Sequence, residues 1–222
     1  MSNLTALVTG ASRGIGAAIA KKMVLEGLTV IAPSRADLDL RSGSSIESFL
    51  GALTRPIDIL VNNAGVNMLS SISEASDSVI QETLQVNLVA PLQLIRCVAN
   101  QMMARRFGRI VNISSIWSIV SQKRRLTYSA SKAGLNGMTR ALAVELAPYN
   151  ILINAVAPGY VNTELTRQNN SEQDIHAIKE TIPLRRLAEP SEIAETVFFL
   201  CSERNTYITG QVITVDGGFT CQ

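Results

Sequence analysis

Tyr128 and Lys132 stand four residues apart in a run, YSASKAGLNGMTRALAVEL, whose apolar spacing reads as helix. One helical turn puts the phenol and the ammonium on the same face. A phenol alone is a poor acid near neutral pH, its ordinary pKa being about 10. A neighbouring ammonium favours the phenolate and brings the hydroxyl nearer to useful proton transfer. Taken alone, the pair is also ordinary surface spacing for an aromatic and a lysine. Its weight comes from the rest of the chain.

A second feature with chemical meaning is the glycine turn Gly10-Ala-Ser-Arg-Gly-Ile-Gly, with glycines at Gly10, Gly14 and Gly16. It lies between a short β-rich run, residues 4–9, and a helical pattern that starts near Gly14. In that context the pyrophosphate of a dinucleotide would rest on the helix N-terminus, and glycines let the backbone approach it. The spacing is GxxxGxG rather than GxGxxG, and no Gly-Lys-Ser/Thr follows as in a P-loop. Without that context the turn would be only a tight strand-to-helix connection.

Positioning these groups requires a scaffold, and the chain supplies one in alternating pieces. Apolar β-rich runs cover residues 4–9, 28–32, 57–62, 109–114, 151–157 and 211–215. Helical spacing follows Gly14, begins again near Ser44, and covers residues 76–103, 127–146, 171–180 and 191–200. Strands that are apolar throughout and alternate with helices argue for a parallel sheet covered on both faces. The expectation is one α/β domain over residues 1–222, with no repeat and no linker. One stretch departs from regularity. Only about ten residues separate Pro33 from the helical run near Ser44, whereas a helical parallel crossover needs roughly a dozen or more. A helix directly after the second strand is expected to be missing, and any strand in that gap to be a stub.

Composition narrows the class of function. The chain has 222 residues, 46% of them apolar and 17% charged, which suits a well-buried globule. A net charge of +2 offers no strong attraction to nucleic acid or to an acidic membrane. No apolar run is long enough to span a bilayer. Met1 is followed at once by Ser2, Asn3 and a strand, which leaves no room for a signal peptide. Cys97, Cys201 and Cys221 are scattered, with no CxxC, and read as reduced thiols of a cytoplasmic protein. No cluster has the spacing of metal ligands, so no metal is expected. His176, the sole histidine, falls among polar residues and reads as solvated; with no GxSxG, a serine hydrolase has no support.

The motifs together carry a resemblance. TGASRGIG at residues 9–16, NNAG at 62–65, Asn87, Ser115, Tyr128-x-x-x-Lys132, PGYVNT at 158–163 and VDGG at 215–218 occur in one order across almost the whole chain. In this the sequence resembles the short-chain dehydrogenase/reductase family, in particular its single-domain β-ketoacyl-carrier-protein reductase-like members. The resemblance implies a doubly wound parallel Rossmann sheet and a nicotinamide cofactor.

Carried over position by position, the resemblance also implies roles. Ser115 would bind the substrate carbonyl, with Ser114 one residue off register and structural. Tyr128 would exchange the proton. Lys132 would hold the nicotinamide ribose and depress the tyrosine pKa, and Asn87 would anchor a water that relays protons to Lys132. The cofactor would lie along Gly10, Ser12, Arg13, Gly14, Ile15 and Gly16. It would continue past Ser34 and Arg35 at the end of the second strand, Asp39 and Leu40 at the adenine, and Asn63, Ala64 and Gly65. Pro158, Gly159, Val161 and Thr163 would hold the carboxamide. Ser34 stands where an NAD-preferring domain places an acid. Arg35 follows it and Arg13 lies in the glycine loop, so nothing acidic is expected to oppose a 2′-phosphate, and the expected cofactor is NADP(H).

The function expected is hydride transfer between NADP(H) and a carbonyl or secondary alcohol, on a 3-oxoacyl thioester or keto-sugar, small or carrier-bound. Two other readings stand beside it. One is a non-catalytic nucleotide sensor or scaffold, which would have no need of Asn87, Ser115, Tyr128 and Lys132 together. The other is a sugar-nucleotide epimerase or dehydratase, which usually needs a larger C-terminal part than the 90 residues after Lys132. Specificity should lie in residues 66–73, 116–126 and 164–187. Arg105, Arg106 and the run Lys123-Arg124-Arg125 read as solvated charge, or else as a docking surface for an acidic carrier or phosphorylated substrate. Family members of this kind assemble through helices, and Met102, Met103, Leu135, Met138 and Leu142 offer apolar surface for a homotetramer or homodimer.

Overall fold

The structure, a computed structural model, describes residues 4–222; Met1, Ser2 and Asn3, on which the reading of no signal peptide rests, lie outside them. Six parallel strands form one sheet in the order β2-β1-β3-β4-β5-β6. They are β1 Thr5–Val8, β2 Thr29–Ile31, β3 Ile59–Asn62, β4 Gly108–Ile113, β5 Ile151–Pro158 and β6 Val212–Val215. Each coincides with one of the six runs expected from sequence.

The strand period of two decides which side chain faces which helix. Leu7, Leu60, Ile110, Ile151 and Ile153 point to one face, where α2 (Gly43–Gly51), α4 (Ala90–Arg105) and α5 (Leu126–Leu146) supply Ile46, Leu94, Ile95, Val98 and Leu146. Ala6, Val8, Ile59, Val61, Val111 and Val156 point to the other, against α1 (Gly14–Leu25) and α8 (Pro190–Cys201). Because both faces are covered, β1, β3, β4 and β5 are buried at every position. The strand order reverses between β1 and β3, and in such sheets ligands bind at the carboxyl ends of the strands beside that point.

The short connection after β2 is resolved in a specific way. No strand forms there, not even a stub; the sheet ends at β2, and the chain makes a turn at residues 35–37 before α2. Pro33 has no N–H for a ladder, and Asp37 takes the next one, its Oδ2 accepting from Ser34 N at 3.0 Å and from Ser34 Oγ at 2.7 Å. Leu38 and Leu40 then turn into the core and close the space that a further strand would fill.

The long helix expected over residues 76–103 is one rod with a fault. α3 (Asp77–Leu84) runs into a π-helical turn, Gln85–Val89, and continues as α4. Pro91 supplies the cause. It has no N–H to give to the Asn87 carbonyl, its ordinary partner four residues back. π-turns inside helices often mark functional sites, and this one carries Asn87. After β5 the chain forms α6 (Glu164–Asn169) and α7 (Glu172–Thr181) before α8. α7 starts with a capping box between Ser171 and Asp174. His176 on α7 is exposed, as expected.

Candidate active site

Three elements converge at the carboxyl ends of the central strands. Ser115 follows β4 and caps a short 3₁₀ turn, its Oγ accepting from Trp117 N at 3.3 Å. Tyr128 and Lys132 sit one turn apart on α5. The Tyr128 phenol and the Ser115 hydroxyl line the same cleft, and Ser115 acts to lower the phenol's pKa. Lys132 is 4% exposed, and its Nζ donates to Ile113 O at 2.7 Å. That nitrogen lies 5.7 Å from the centre of the Tyr128 ring. Ser114, the neighbour read as structural, bonds Ser118 Oγ at 3.2 Å.

The electrostatics differ from expectation in one respect. Burial raises the Tyr128 pKa, and the Ser115 hydroxyl and the charge of Arg125 offset only part of that rise. Burial also lowers Lys132, to about 8. By the pH at which a phenol ionises, such a lysine has already lost its proton. The phenol is therefore held in its proton-donating form around neutral pH.

Asn87 does something different from lining the site. Its Oδ1 accepts from Val66 N at 2.9 Å, and its Nδ2 donates to Val66 O at 2.9 Å and to Ser131 Oγ at 3.1 Å. Ser131 in turn bonds the carbonyl of Tyr128. The Asn87 amide is thus a tie between the rod, the loop after β3 and α5, and only its backbone carbonyl is left by Pro91 for a water. A Cβ placed on Gly65 would meet Asn87 Oδ1 at 3.1 Å and Lys132 Nζ at 3.5 Å, so the three approach at one point.

A cleft of about 510 Å³ runs from these residues along the sheet edge. Gly10, Ser12, Arg13, Gly14, Ile15, Gly16, Ser34, Arg35, Asp39, Leu40, Asn63, Ala64, Gly65, Pro158, Gly159, Val161 and Thr163 all line it, with Ser115, Tyr128 and Lys132. Asn87 is the one expected site residue that does not. The glycine turn fits a phosphate cradle. Gly10 has φ +65°, and a Cβ on Gly16 would overlap Gly10 O and Asn63 Nδ2. Asn63 is mainly a bolt for that turn, its Nδ2 donating to Thr9 O at 2.9 Å and Gly10 O at 3.0 Å. The cleft is long, glycine-floored and opens on the N-terminus of α1, which suits a dinucleotide.

The far end of the cleft is more acidic than the sequence suggested. Asp37 holds Ser34 by both its N–H and its hydroxyl, and Glu82 lies 4.0 Å from Arg35. Arg13 pairs with Glu164 of α6 at 2.7 Å. Asp39 is clamped by Arg41, which holds its pKa at about 2. Arg41 was missed because a lone arginine after Asp-Leu carries no periodic signal.

The basic runs are not uniformly solvated either. Arg105 bonds Ile57 O and Asp58, and Arg106 bonds Pro148 O, so both brace the fold. Arg124, at φ +67°, pairs with Glu74 at 3.2 Å. Arg125 is buried and lines the cleft beside Trp117 and Tyr160. Sequence reasoning also missed Asn67, which lines the cleft with its Oδ1 buried and unpaired. Of the expected assembly residues, Met102 and Leu135 are core, at 0% and 1% exposure, because α4 and α5 turn them onto the sheet. Met103, Met138 and Leu142 are partly buried against the same core.

Comparison with known proteins bears on this arrangement. The family described as enoyl-(acyl carrier protein) reductase matches residues 36–220, and that described as short chain dehydrogenase matches residues 4–48. The chain is 40% identical to the 3-oxoacyl-(acyl-carrier-protein) reductase FabG of Aquifex aeolicus, over 96% of this chain and 95% of the relative. It is 38% identical to the protein of the same name from Vibrio cholerae, over 96% of each. A solved structure described as a short chain dehydrogenase/reductase family protein superposes with a TM-score of 0.90 at 32% identity, covering 98% of this chain and 97% of the other.

Proposed function

Because this chain belongs to the short-chain dehydrogenase/reductase family, we propose that it is an NADP(H)-dependent oxidoreductase acting on a carbonyl or secondary alcohol, with residues 1–222 working as one unit. The observation that carries this reading is the meeting of the Ser115 hydroxyl, the Tyr128 phenol and the Lys132 ammonium on one wall of the cleft. In the reductive direction Ser115 holds the carbonyl oxygen and Tyr128 gives it a proton. In the oxidative direction Tyr128 takes the proton back. Lys132, bonded to Ile113 O, keeps its remaining donors for a ribose, and protons reach it by a water on the Asn87 carbonyl. The glycine turn, Pro158, Gly159, Val161 and Thr163 would hold the dinucleotide, which when bound supplies or accepts the hydride. The relatives' names make a 3-oxoacyl thioester the first substrate class to try, and a keto-sugar the second. A sensor without chemistry would not need this convergence.

Cofactor preference turns on the end of β2. Arg35 offers a fork of donors to a 2′-phosphate, and its contact with Glu82 is long enough to exchange. A specific observation favours NAD(H) as a second reading: the Asp37 carboxylate sits on Ser34, where it can accept ribose hydroxyls. The test is kcat/KM for NADPH and NADH in wild type, Arg35→Ala and Asp37→Asn. A productive Arg35 contact gives about one to two decades of NADPH preference, lost in Arg35→Ala. A preference for NADH that disappears in Asp37→Asn instead would assign the site to NAD(H).

A further inference from the structure

Arg125 is a cation at the cleft with no counter-charge among the described residues, and none of its guanidinium nitrogens is wholly shut off from solvent. It is 8% exposed and sits just before α5, lining the cleft with Tyr128 and Tyr160. Among the described residues its guanidinium makes no hydrogen bond and no ion pair, and it lies over the Trp117 ring, 4.9 Å away. Other arginines around the fold differ: Arg13, Arg41, Arg124 and Arg186 each have a carboxylate, and Arg109, the other buried one, bonds the carbonyls of Gly108 and Asn150 while its Nε stays buried and unpaired. The charge therefore stays open to the cleft with one flank near an indole and no anion to meet it.

The position of the charge says what would partner it. It acts on the phenols of both Tyr128 and Tyr160, so it stands at the reacting end of the cleft, while the phosphate cradle belongs to the glycine turn. Trp117, Tyr160 and Phe219 pack edge to face at 5.7–6.1 Å and wall this end off. A neutral acyl thioester bound there would desolvate the guanidinium and return nothing. A phosphate dianion would call on a second cation, but Lys123 is exposed and Arg124 is taken by Glu74. A single planar fork matches a single carboxylate.

We propose that Arg125 is the anchor for a carboxylate on the substrate, and that the physiological substrate is an oxo acid or the matching hydroxy acid rather than a neutral thioester. This rests on the oxidoreductase reading for the chemistry, but the anion site is read from Arg125 alone. The carboxylate takes no part in the reaction; it orients the carbonyl toward Ser115 and Tyr128.

Trp117 is the only tryptophan in the sequence, so its fluorescence reports on this site without turnover. Pyruvate, acetoacetate and levulinate place a carboxylate progressively farther from the carbonyl, and each is titrated beside its methyl ester. At least one acid is expected to give a saturable change with affinity about ten- to a hundredfold above its ester. Arg125→Gln is expected to abolish that preference. Arg125→Lys, which keeps the charge and guards against misfolding of the glutamine variant, should retain part of it. Esters that bind as well as the acids in wild type, or a folded Arg125→Gln protein that keeps the preference, would overturn the proposal. Consumption of NADPH or NADH is read separately with the same acids and with a 3-oxoacyl thioester. Acids that bind through Arg125 while no carbonyl is reduced would leave the anion site standing and remove the reductase reading.

Discussion

Lys132 is held at a cost that the fold must carry. It is almost wholly buried, and burial lowers its pKa from 10.5 to about 8. A cation whose folded pKa is depressed destabilises the protein in full below the folded value. The penalty fades as pH rises from about 8 toward 10.5, where the unfolded chain also loses the proton. Lys132→Met is therefore expected to be more stable than wild type near neutral pH, by about 1–3 kcal/mol. The advantage should shrink steadily in denaturant melts taken at rising pH. A wild type that is the more stable protein at neutral pH would mean that the Ile113 carbonyl fully compensates the charge. At this scale the sequence was legible where fixed spacing brings side chains together, as for Tyr128 and Lys132 one turn apart on α5, while Ser115 was reached through the family resemblance. It was not legible for Arg125, since its burial depends on Trp117 coming from another loop. Nor was it for Asp37, whose hydrogen bonds follow from a turn that only the shortened connection creates.

Elements were read well in existence and less well in detail. All six strands and the principal helices lie where apolar periodicity placed them. The fault in the α3–α4 rod has a local signal, Pro91, but periodicity carries through a single π-turn and hides it. Which helix face remains exposed depends on the crossing of helix and sheet, and this makes Met102 and Leu135 core rather than assembly surface, two readings the sequence left open. The outward residues are instead Val89 and Leu92 on the rod and Leu126 and Val144 on α5, with Val144 80% exposed. Apolar side chains in such positions would suit an interface between copies. Light scattering of the wild type at micromolar concentration is expected to give a homotetramer, or at least a dimer. Val144→Glu should lower the mass by placing charge in that contact. A monomeric wild type would contradict the assembly reading.

For the molecule as a whole, the layered sheet and its site are two consequences of one topology. A fully apolar strand pattern demands cover on both faces, and the reversal of order between β1 and β3 opens the crevice at their ends. The glycine turn, the loop after β3, the end of β4 and α5 must all meet there, whatever the substrate. The short path from β2 to α2 trims the sheet edge without moving that centre. The most direct test is kcat for carbonyl reduction in wild type and Tyr128→Phe, with cofactor affinity measured in parallel. The account predicts a loss of about a hundred- to ten-thousandfold in kcat, with cofactor binding nearly unchanged because the phenol holds little of the dinucleotide. A Tyr128→Phe protein that keeps more than about a tenth of wild-type kcat would show that the proton comes from elsewhere.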